Sequence, residues 1–340
     1  MGSRLRLDPS LARRGLGWAW RRAAGRYPRL TALRAALSRG YVAGSRKGGL
    51  YPGNVVWIFG SGRSGSTWLR SMMGELDHHK VWEEPMVGRL FGEFYDKAQK
   101  GNLGRSDFIM GTPIRAGWMG SIRNFVLDGA QYSHPLLSSS HYLVVKEPNG
   151  SLGAPLLMEA VPESRMILLV RDPRDVVASV LDGAREGNWL HSWTDKGAWR
   201  KGAVADNDPD AFVRNRATVY LQQAGSAKKA YDAHGGRKVL VRYEDLISDT
   251  LGTMKRIYST LEVPFEETEL VHAVEKHSWT NIPENEKGEG KFYRKASPGG
   301  WREDLTPAQA RTVENITGPL LGEFYPDKED ANRANTIEGS

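Results

Sequence analysis

The sequence predicts an α/β fold, a single P-loop-like domain with a central parallel sheet flanked by helices. Four short apolar segments rich in β-branched and aromatic residues indicate buried strands, and helical segments lie between them. Strands that alternate with helices favour a parallel sheet covered on both faces. A glycine-rich turn follows the first strand, as in phosphate-binding loops.

The predicted elements fall within one domain. The four strands are predicted, in chain order, at residues 54–59, 142–145, 165–170 and 238–242. The first helix is predicted over 67–76, after the glycine-rich turn. We expect a basic helical extension with a linker at 1–50, the main domain at 51–326 and a polar tail at 327–340.

The composition of the 340-residue chain excludes several classes of site. With 40% hydrophobic and 26% charged residues it is that of an ordinary globular protein. Because the chain has no cysteine, disulfides, thiolate zinc sites and cysteine nucleophiles are excluded. No apolar segment has the length of a membrane span or the pattern of a signal peptide, so we expect a cytoplasmic protein. The net charge of +7 suits either nucleic acid or a pocket for a small polyanion.

The first 50 residues are rich in arginine and nearly free of acids. One or two helices are predicted over 11–41, interrupted near Pro28, with Trp18 and Trp20 among the apolar positions. One interpretation is a basic amphipathic element on a membrane or another anionic surface. The other, which we favour, is a helical extension that packs on the catalytic domain.

The loop from Gly60 to Thr67 fits more than one kind of phosphate site. Its glycines match the dinucleotide pattern G-x-G-x-x-G, and its length approximates the P-loop of kinases and NTPases. In a P-loop, however, a lysine would stand where this chain has Ser66. The cation of this loop is Arg63, which can form a bidentate contact to an oxyanion.

Residues 63–69 resemble the 5′-phosphosulfate loop of the sulfotransferase superfamily, which uses 3′-phosphoadenosine-5′-phosphosulfate (PAPS) as sulfuryl donor and releases PAP. Arg171 and Ser179, at the start of a predicted helix, are similar to the 3′-phosphate motif of that family, an arginine with a serine eight residues later. Residues 292–302, with the pair Arg294-Lys295 and a Gly-x-Trp stretch after it, resemble a loop near the C-terminus of family members, which we call the late loop. Ala296 replaces the glycine of many members. The resemblance covers roughly residues 54–325.

The resemblance implies a set of nucleotide-binding residues and no metal. Tyr243, after the fourth strand, and Trp68 are candidates near the nucleotide, although both suit core packing equally well. The complete implied set is Gly62, Arg63, Ser64, Gly65, Ser66, Thr67, Trp68, Arg171, Ser179, Tyr243, Arg294 and Lys295.

The resemblance also points to a glutamate as the general base. One branch of the family has a histidine after the second strand, where this chain has Lys146-Glu147-Pro148. The carbohydrate and tyrosylprotein branch uses a glutamate, and Glu84 stands 21 residues after Arg63, much as in the tyrosylprotein group. Glu83 stays open as the alternative base, and Lys146 is the expected second cation beside Arg63.

The acceptor is less well specified than the donor. A glutamate base favours a hydroxyl on a carbohydrate or glycolipid, with a phenolic, tyrosyl or other small acceptor as the alternative. Segments 86–140 and 183–215 are expected to form the pocket walls and lid, and Trp118, Trp189, Trp193 and Trp199 within them are candidates for stacking on the acceptor. A P-loop kinase or NTPase, a nicotinamide dehydrogenase and a non-enzymatic basic binding module are the competing functions. We expect PAPS and the acceptor as partners and no nucleic acid.

Overall fold

The computed structural model describes residues 49–325, except positions 106, 109, 113, 191–206 and 296. Five parallel strands form one sheet in the order β2-β3-β1-β4-β5. These strands are β1 Val55–Gly60, β2 His79–Glu83, β3 Tyr142–Lys146, β4 Arg165–Val170 and β5 Lys238–Arg242. The helices are α1 Ser66–Met73, α2 Val87–Lys97, α3 Arg115–Ser133, α4 Ala154–Ala160, α5 Pro173–Gly183, α6 Pro209–Ala233, α7 Tyr243–Ser248, α8 Thr250–Thr260, α9 Glu267–Lys276, α10 Trp301–Asp304 and α11 Pro307–Phe324.

The predicted parallel α/β fold is confirmed, and all four predicted strands are present within one or two residues of their expected bounds. The sequence prediction missed β2. Among the described strands it pairs with β3 alone, at the edge of the sheet, and His79 is its single buried residue. Because edge strands keep one side in solvent, β2 carries charges and lacks the apolar run that marks the central strands.

The side chains of the central strands alternate between two hydrophobic layers. Val55, Trp57 and Phe59 of β1 enter one layer, with α3, α4 and α6. Val56 and Ile58 enter the other, with α1, α8 and α9. All five of these side chains are fully buried, which explains why β1 has an unbroken apolar sequence.

The strand order places a crevice at the carboxyl edge of β1. From β1 the chain crosses to β2 on one side, whereas β4 and β5 lie on the other side. Such a reversal leaves an opening above the central strand, where ligands of open α/β sheets bind. The glycine-rich loop that leaves β1 at Gly60 lies at this point.

The N-terminal segment predicted for 1–50 lies, except for its last two residues, outside the described residues, as does the tail at 327–340. Among the residues that the structure describes, no helix is long and apolar enough to cross a membrane.

Candidate active site

Every strand of the sheet ends next to a polar or glycine residue of the candidate site. The loop 61–65 follows β1, and Glu84 follows β2. In the same way Glu147 follows β3, Arg171 follows β4 and Tyr243 follows β5. Since the strands are parallel, these residues meet at the carboxyl edge of the sheet.

The loop after β1 is shaped by glycine and opens into the amino end of α1. Gly65 caps this helix with φ of 89°, and no side chain caps the first turn. A Cβ on Gly65 would lie 2.6 Å from the ring of Tyr243, so only glycine fits there. The first N–H groups of α1 have no partners within the helix, and together with its dipole they favour an anion at this end.

Arg63 connects the three segments that the sequence analysis singled out. Its Nε donates to Oγ of Ser179 at 3.1 Å, and its NH2 donates to the carbonyl oxygen of Phe292 at 2.6 Å. Arg171 in turn donates from NH1 to the carbonyl oxygen of Arg63 at 3.1 Å. The predicted 5′-phosphosulfate loop, the predicted 3′-phosphate motif and the late loop therefore meet at one point.

The two arginines of this cluster create a positive site. Burial and the nearby charge of Arg171 lower the pKa of the Arg63 guanidinium to about 10, so that it stays charged at neutral pH. Arg171 is 9% exposed, and its guanidinium lies 4.3 Å from the ring centroid of Tyr243. Its Nε is buried without a hydrogen-bond partner among the described residues. One buried and one half-buried cation, with a spare donor, suit an anionic ligand.

Helix α5 fastens the late loop through two aspartates on the same face as Ser179. The carboxylate of Asp175 accepts from the backbone N–H of Gly299 at 2.7 Å and of Trp301 at 2.9 Å. One turn beyond Ser179, Asp182 accepts from the backbone N–H of Gly290 at 3.1 Å. These bonds hold the late loop against α5, where Phe292 contacts Arg63.

The predicted Arg294-Lys295 pair lies in this loop and is bound to acids. Arg294 pairs with Asp304 and, at 3.3 Å, with Asp182. Lys295 is more exposed and pairs with Glu303 at 2.8 Å. Arg294 adds to the positive field around Arg63.

Trp68 and Tyr243 are placed beside each other at the loop. Their rings are 6.5 Å apart in an edge-to-face arrangement, and Nε1 of Trp68 donates to the carbonyl oxygen of His277 at 2.8 Å. Tyr243 is buried, and burial raises the pKa of its hydroxyl. Both residues lie at the predicted nucleotide site while also serving as packing residues.

A second charged cluster lies at the ends of β2 and β3. Nζ of Lys146 lies 2.7 Å from Oε1 of Glu84, and Nδ2 of Asn149 donates to Oε2 of Glu84 at 3.1 Å. Lys146 is 5% exposed, whereas about a third of the Glu84 side chain is accessible. The carboxylate of Glu84 is thus oriented from two sides but can still be reached.

Glu83 has different partners from Glu84. It forms an ion pair with Arg70 of α1 and lies 3.4 Å from Nζ of Lys146. Burial acts to raise the pKa of the Glu83 carboxyl, but the charges of Arg70 and Lys146 outweigh this effect and hold that pKa below its ordinary value. Two cations, Arg70 and Lys146, hold Glu83, whereas Glu84 forms an ion pair with Lys146 alone. A carboxylate held by fewer cations is the stronger base, so the geometry favours Glu84 over Glu83.

Glu147 is a fully buried carboxyl behind this cluster. Its Oε2 accepts from the backbone N–H of Met86 at 3.0 Å, two residues after Glu84. Burial, with a further contribution from Glu84, raises the pKa of Glu147 to about 8. The turn that it holds contains two non-glycine residues with positive φ, Glu84 at 41° and Met86 at 64°. Glu147 therefore supports a strained turn that carries the candidate base.

Sequence reasoning missed five residues that shape the site. They are Asp175, Asp182, Phe292, Asn149 and Glu147. The sequence does indicate Asp175 and Asp182, because their spacing from Ser179 places all three side chains on one face of α5. The others act across long sequence separations that no local pattern reveals.

Among the described residues, no group of three His, Asp or Glu side chains could hold a metal ion. The absence of a metal in the reaction stays a prediction.

A sequence profile of the sulfotransferase family matches residues 56–267, well over half of the chain. This protein belongs to the sulfotransferase family. The match contains the loop at Gly60–Thr67, Glu84, Lys146 and the Arg171 motif, whereas the late loop lies beyond it. No curated protein sequence matches the chain.

Solved sulfotransferase structures resemble the fold. Sulfotransferase STF9 from Mycobacterium avium is 15% identical, with 84% of this chain and 79% of that chain covered and a TM-score of 0.50. Mouse sulfotransferase SULT7A1, solved with PAP, is 12% identical, with 80% and 86% covered and a TM-score of 0.49.

Family membership confirms that the protein is a PAPS-dependent sulfotransferase of α/β fold, as predicted. The assignment to the carbohydrate and tyrosylprotein branch stays a prediction, and so do the roles of the individual site residues.

Proposed function

We propose that this sulfotransferase moves the sulfuryl group of PAPS to an acceptor hydroxyl, with Glu84 as general base. The observation that carries the proposal is the hydrogen bond between Arg63 and Ser179, because it joins the loop for the 5′-phosphosulfate to the motif for the 3′-phosphate. A kinase or dehydrogenase has no use for that second phosphate site.

The donor would be held by cations and backbone amides. The amino end of α1 and Arg63 would bind the 5′-phosphosulfate, and Arg171, Ser179, Arg294 and Lys295 would bind the 3′-phosphate. For this, Arg294 exchanges its contacts with Asp182 and Asp304 for the phosphate. The spare Nε of Arg171 supports this assignment.

In the proposed reaction, the acceptor oxygen attacks sulfur in line with the leaving phosphate. The new bond is between acceptor oxygen and sulfur, and the bond between sulfur and the 5′-phosphate oxygen breaks. Glu84 takes the proton of the acceptor hydroxyl, and PAP leaves with the electron pair of the broken bond. Lys146 and Arg63 offset the negative charge that develops on the leaving oxygen.

The pair formed by Lys146 and Glu84 supports these roles. At 2.7 Å the ammonium orients one carboxylate oxygen, and Asn149 orients the other. Lys146 ends β3, which pairs with β1, and Glu84 follows β2, which pairs with β3. They can therefore act on the same sulfuryl group as the loop after β1.

We propose a carbohydrate or glycolipid hydroxyl as the acceptor, with a phenolic or tyrosyl hydroxyl as the alternative. Trp189 does not offer a free stacking face, since its ring packs 4.9 Å from the guanidinium of Arg63 and edge-on to Phe292. Trp118 is 38% exposed on α3, and Trp193 and Trp199 lie outside the described residues.

The acceptor class is tested with PAPS that carries a ³⁵S label and a panel of sugars, glycolipids, phenols and tyrosyl peptides. We expect label in the sugar or glycolipid fraction, with none when Glu84 is replaced by Gln. Label in the phenol or peptide fraction alone would reassign the acceptor without changing the donor. The cytoplasmic location, the absence of a nucleic-acid partner and contact of the N-terminal segment with an anionic surface are further predictions.

A further inference from the structure

The peptide group between Arg171 and Asp172 lies where the chain leaves β4 and enters α5. Strand β4 ends at Val170 and α5 begins at Pro173, so this peptide belongs to neither element. Arg171 is buried, and backbone groups at such a position need hydrogen-bond partners from elsewhere in the protein. These partners fix the backbone from which the side chain of Arg171 extends.

Both ends of this peptide group are held by side chains from other helices. Its carbonyl oxygen, that of Arg171, accepts from the hydroxyl of Tyr220 on α6 at 2.9 Å. Its N–H, that of Asp172, donates to Oε1 of Glu244 on α7 at 3.0 Å. Because the C=O and the N–H of a planar trans peptide point in opposite directions, the two bonds together fix its orientation.

Glu244 is itself held by a further residue. Its Oε2 accepts from the hydroxyl of Tyr325, just after α11, at 2.8 Å. Neutral donors, the N–H of Asp172 and the hydroxyl of Tyr325, therefore occupy both carboxylate oxygens. Burial raises the pKa of the hydroxyls of Tyr220 and Tyr325 above their ordinary value, so both keep the proton that they donate.

The far end of the Arg171 side chain is held by the residue before Glu244. The guanidinium lies 4.3 Å from the ring centroid of Tyr243, and its NH1 donates to the carbonyl oxygen of Arg63 at 3.1 Å. Strands β4 and β5 pair in parallel up to their last residues, so the chain after each strand leaves the sheet beside the other. Two consecutive residues after β5 thus contact the backbone and the guanidinium of one arginine.

The contacts that Arg171 can offer a ligand depend on the orientation of this peptide. Nε of Arg171 is buried and has no hydrogen-bond partner in the part of the chain that the structure describes. A guanidinium binds a phosphate through directional N–H bonds, so a rotation of its backbone moves the donors away from the phosphate oxygens. Loss of a partner of the peptide would favour such a rotation, because a buried backbone group would be left unsatisfied.

We propose that Glu244 and Tyr220 are positioning residues for the 3′-phosphate of PAPS. They fix the peptide after Arg171 and so direct its guanidinium at that phosphate, and Tyr325 holds Glu244 in place. This role rests on the proposed binding of the 3′-phosphate by Arg171. It adds residues that the family resemblance did not indicate and that act through Arg171 rather than on the nucleotide.

The test compares the binding of PAP with that of adenosine 5′-phosphate (AMP), which lacks the 3′-phosphate, by isothermal titration calorimetry. The parent should bind PAP at least about tenfold more tightly than AMP. Glu244→Ala should lower the affinity for PAP roughly tenfold and that for AMP about twofold or less, because only PAP uses Arg171. Tyr220→Phe, which removes one hydroxyl, should lower the affinity for PAP roughly threefold.

One rescue variant and two controls show whether the hydrogen bonds are responsible. Glu244→Gln keeps an acceptor for the N–H of Asp172 and should bind PAP within about threefold of the parent. Glu269→Ala removes a carboxylate that accepts from the backbone N–H of Asp77 at 3.3 Å, near the amino end of β2. Tyr258→Phe, the control for the tyrosine variant, removes a buried hydroxyl that has no hydrogen-bond partner among the described residues. Both controls should bind PAP like the parent.

The Arg171→Ala background separates an effect through Arg171 from an independent one. In that background Glu244→Ala should lower the affinity for PAP by about twofold or less, because the side chain that Glu244 positions is gone. A further tenfold loss would show that Glu244 acts independently of Arg171 and would overturn the proposed role. Equal losses of PAP and AMP affinity in Glu244→Ala would also overturn it, because Glu244 would then support the fold in general.

The outcomes distinguish this role from the proposed function. If the parent bound PAP and AMP equally, the 3′-phosphate site itself would be refuted. If Arg171→Ala lost the preference for PAP while Glu244→Ala and Tyr220→Phe kept it in full, the proposed function would stand and the positioning role would be refuted. Thermal unfolding establishes which variants fold. If Glu244→Ala does not fold, Tyr220→Phe carries the same comparison.

Discussion

Arg63 and Ser179 are 116 positions apart in sequence, yet Nε of the arginine donates to the serine hydroxyl at 3.1 Å. The bond links the loop after β1 to the helix after β4, the two segments expected to bind opposite ends of PAPS. A guanidinium largely removed from water needs hydrogen-bond partners, and Arg63 donates to neutral oxygens of Ser179 and Phe292. Its charge is therefore left for an anionic ligand.

Arg171→Ala should weaken PAP binding by roughly 10- to 100-fold, because it removes a charged hydrogen-bond donor from the 3′-phosphate. Isothermal titration calorimetry with PAP measures the effect. Arg174→Ala is the matched control in the same motif, since Arg174 is bound to Asp172 at 2.7 Å and Glu314 at 2.8 Å. It should lower the melting temperature but change PAP affinity about threefold or less. Equal losses in both variants would contradict a specific role for Arg171.

Glu84→Gln should lower kcat by at least about 100-fold and leave PAP affinity nearly unchanged, because the amide keeps the shape but cannot accept the proton. Single-turnover assays with labelled PAPS measure the chemical step. Glu83→Gln should lower kcat much less, since Glu83 forms an ion pair with Arg70. If the Glu83 variant lost turnover and the Glu84 variant kept it, Glu83 would be the base.

Asp175→Ala should raise the KM for PAPS roughly tenfold with a smaller change in kcat. The carboxylate accepts two backbone N–H groups of the late loop, and their loss frees that loop from α5. Steady-state kinetics measure the two constants. Asp249→Ala is the control, because it removes an aspartate bond to the N–H of Gly252 at 2.9 Å at a remote helix start. An unchanged KM for PAPS in the Asp175 variant would show that contacts other than those of Asp175 position the late loop.

Glu147→Gln should change how stability depends on pH. The pKa of the carboxyl is about 8 in the folded protein and 4.5 ordinarily. Between these values the unfolded chain has released the proton while the folded protein keeps it, so the free energy of unfolding of the parent falls as pH rises. The variant lacks this loss and should gain stability over the parent by roughly 4 kcal/mol between pH 4.5 and 8.

Urea unfolding at several pH values measures the difference between the Glu147 variant and the parent. The control is Glu163→Gln, because the hydrogen bond from Arg123 lowers the pKa of Glu163, in the direction opposite to the shift of Glu147. The free energy of unfolding of the control should differ from that of the parent by nearly the same amount at each pH. If the free energy of unfolding of the Glu147 variant also differed from that of the parent by the same amount at every pH, the buried carboxyl would be ionised at neutral pH.

Much of the fold could be predicted from local sequence. The three central strands β3, β1 and β4 are buried on both faces, so their apolar runs predict their positions. The edge strand β5 is marked by the apolar residues in the middle of Lys238–Arg242. The loop at Gly60–Thr67 could be found because its glycines are required by geometry, as at Gly65, where a side chain would meet Tyr243. Arg171 and Ser179 followed from the family resemblance.

The parts that escaped prediction depend on contacts between distant segments. The β2 strand carries polar residues because it is an edge, so its sequence resembles a turn. The partner of Arg63 in the late loop is a backbone carbonyl, that of Phe292, and a backbone group leaves no trace in side-chain identity. The burial of Glu147 depends on packing between α2 and the turn after β3, which the sequence Lys146-Glu147-Pro148 does not reveal.

The central claim, that Arg63, Arg171 and the late loop form a site for a nucleotide with both a 5′- and a 3′-phosphate, is tested most directly by thermal unfolding with nucleotides. At equal millimolar concentrations we expect PAP to raise the melting temperature by several degrees. ATP with magnesium and NAD should raise it much less, because neither carries a 3′-phosphate. No shift with PAP, or a larger shift with ATP and magnesium, would contradict the account.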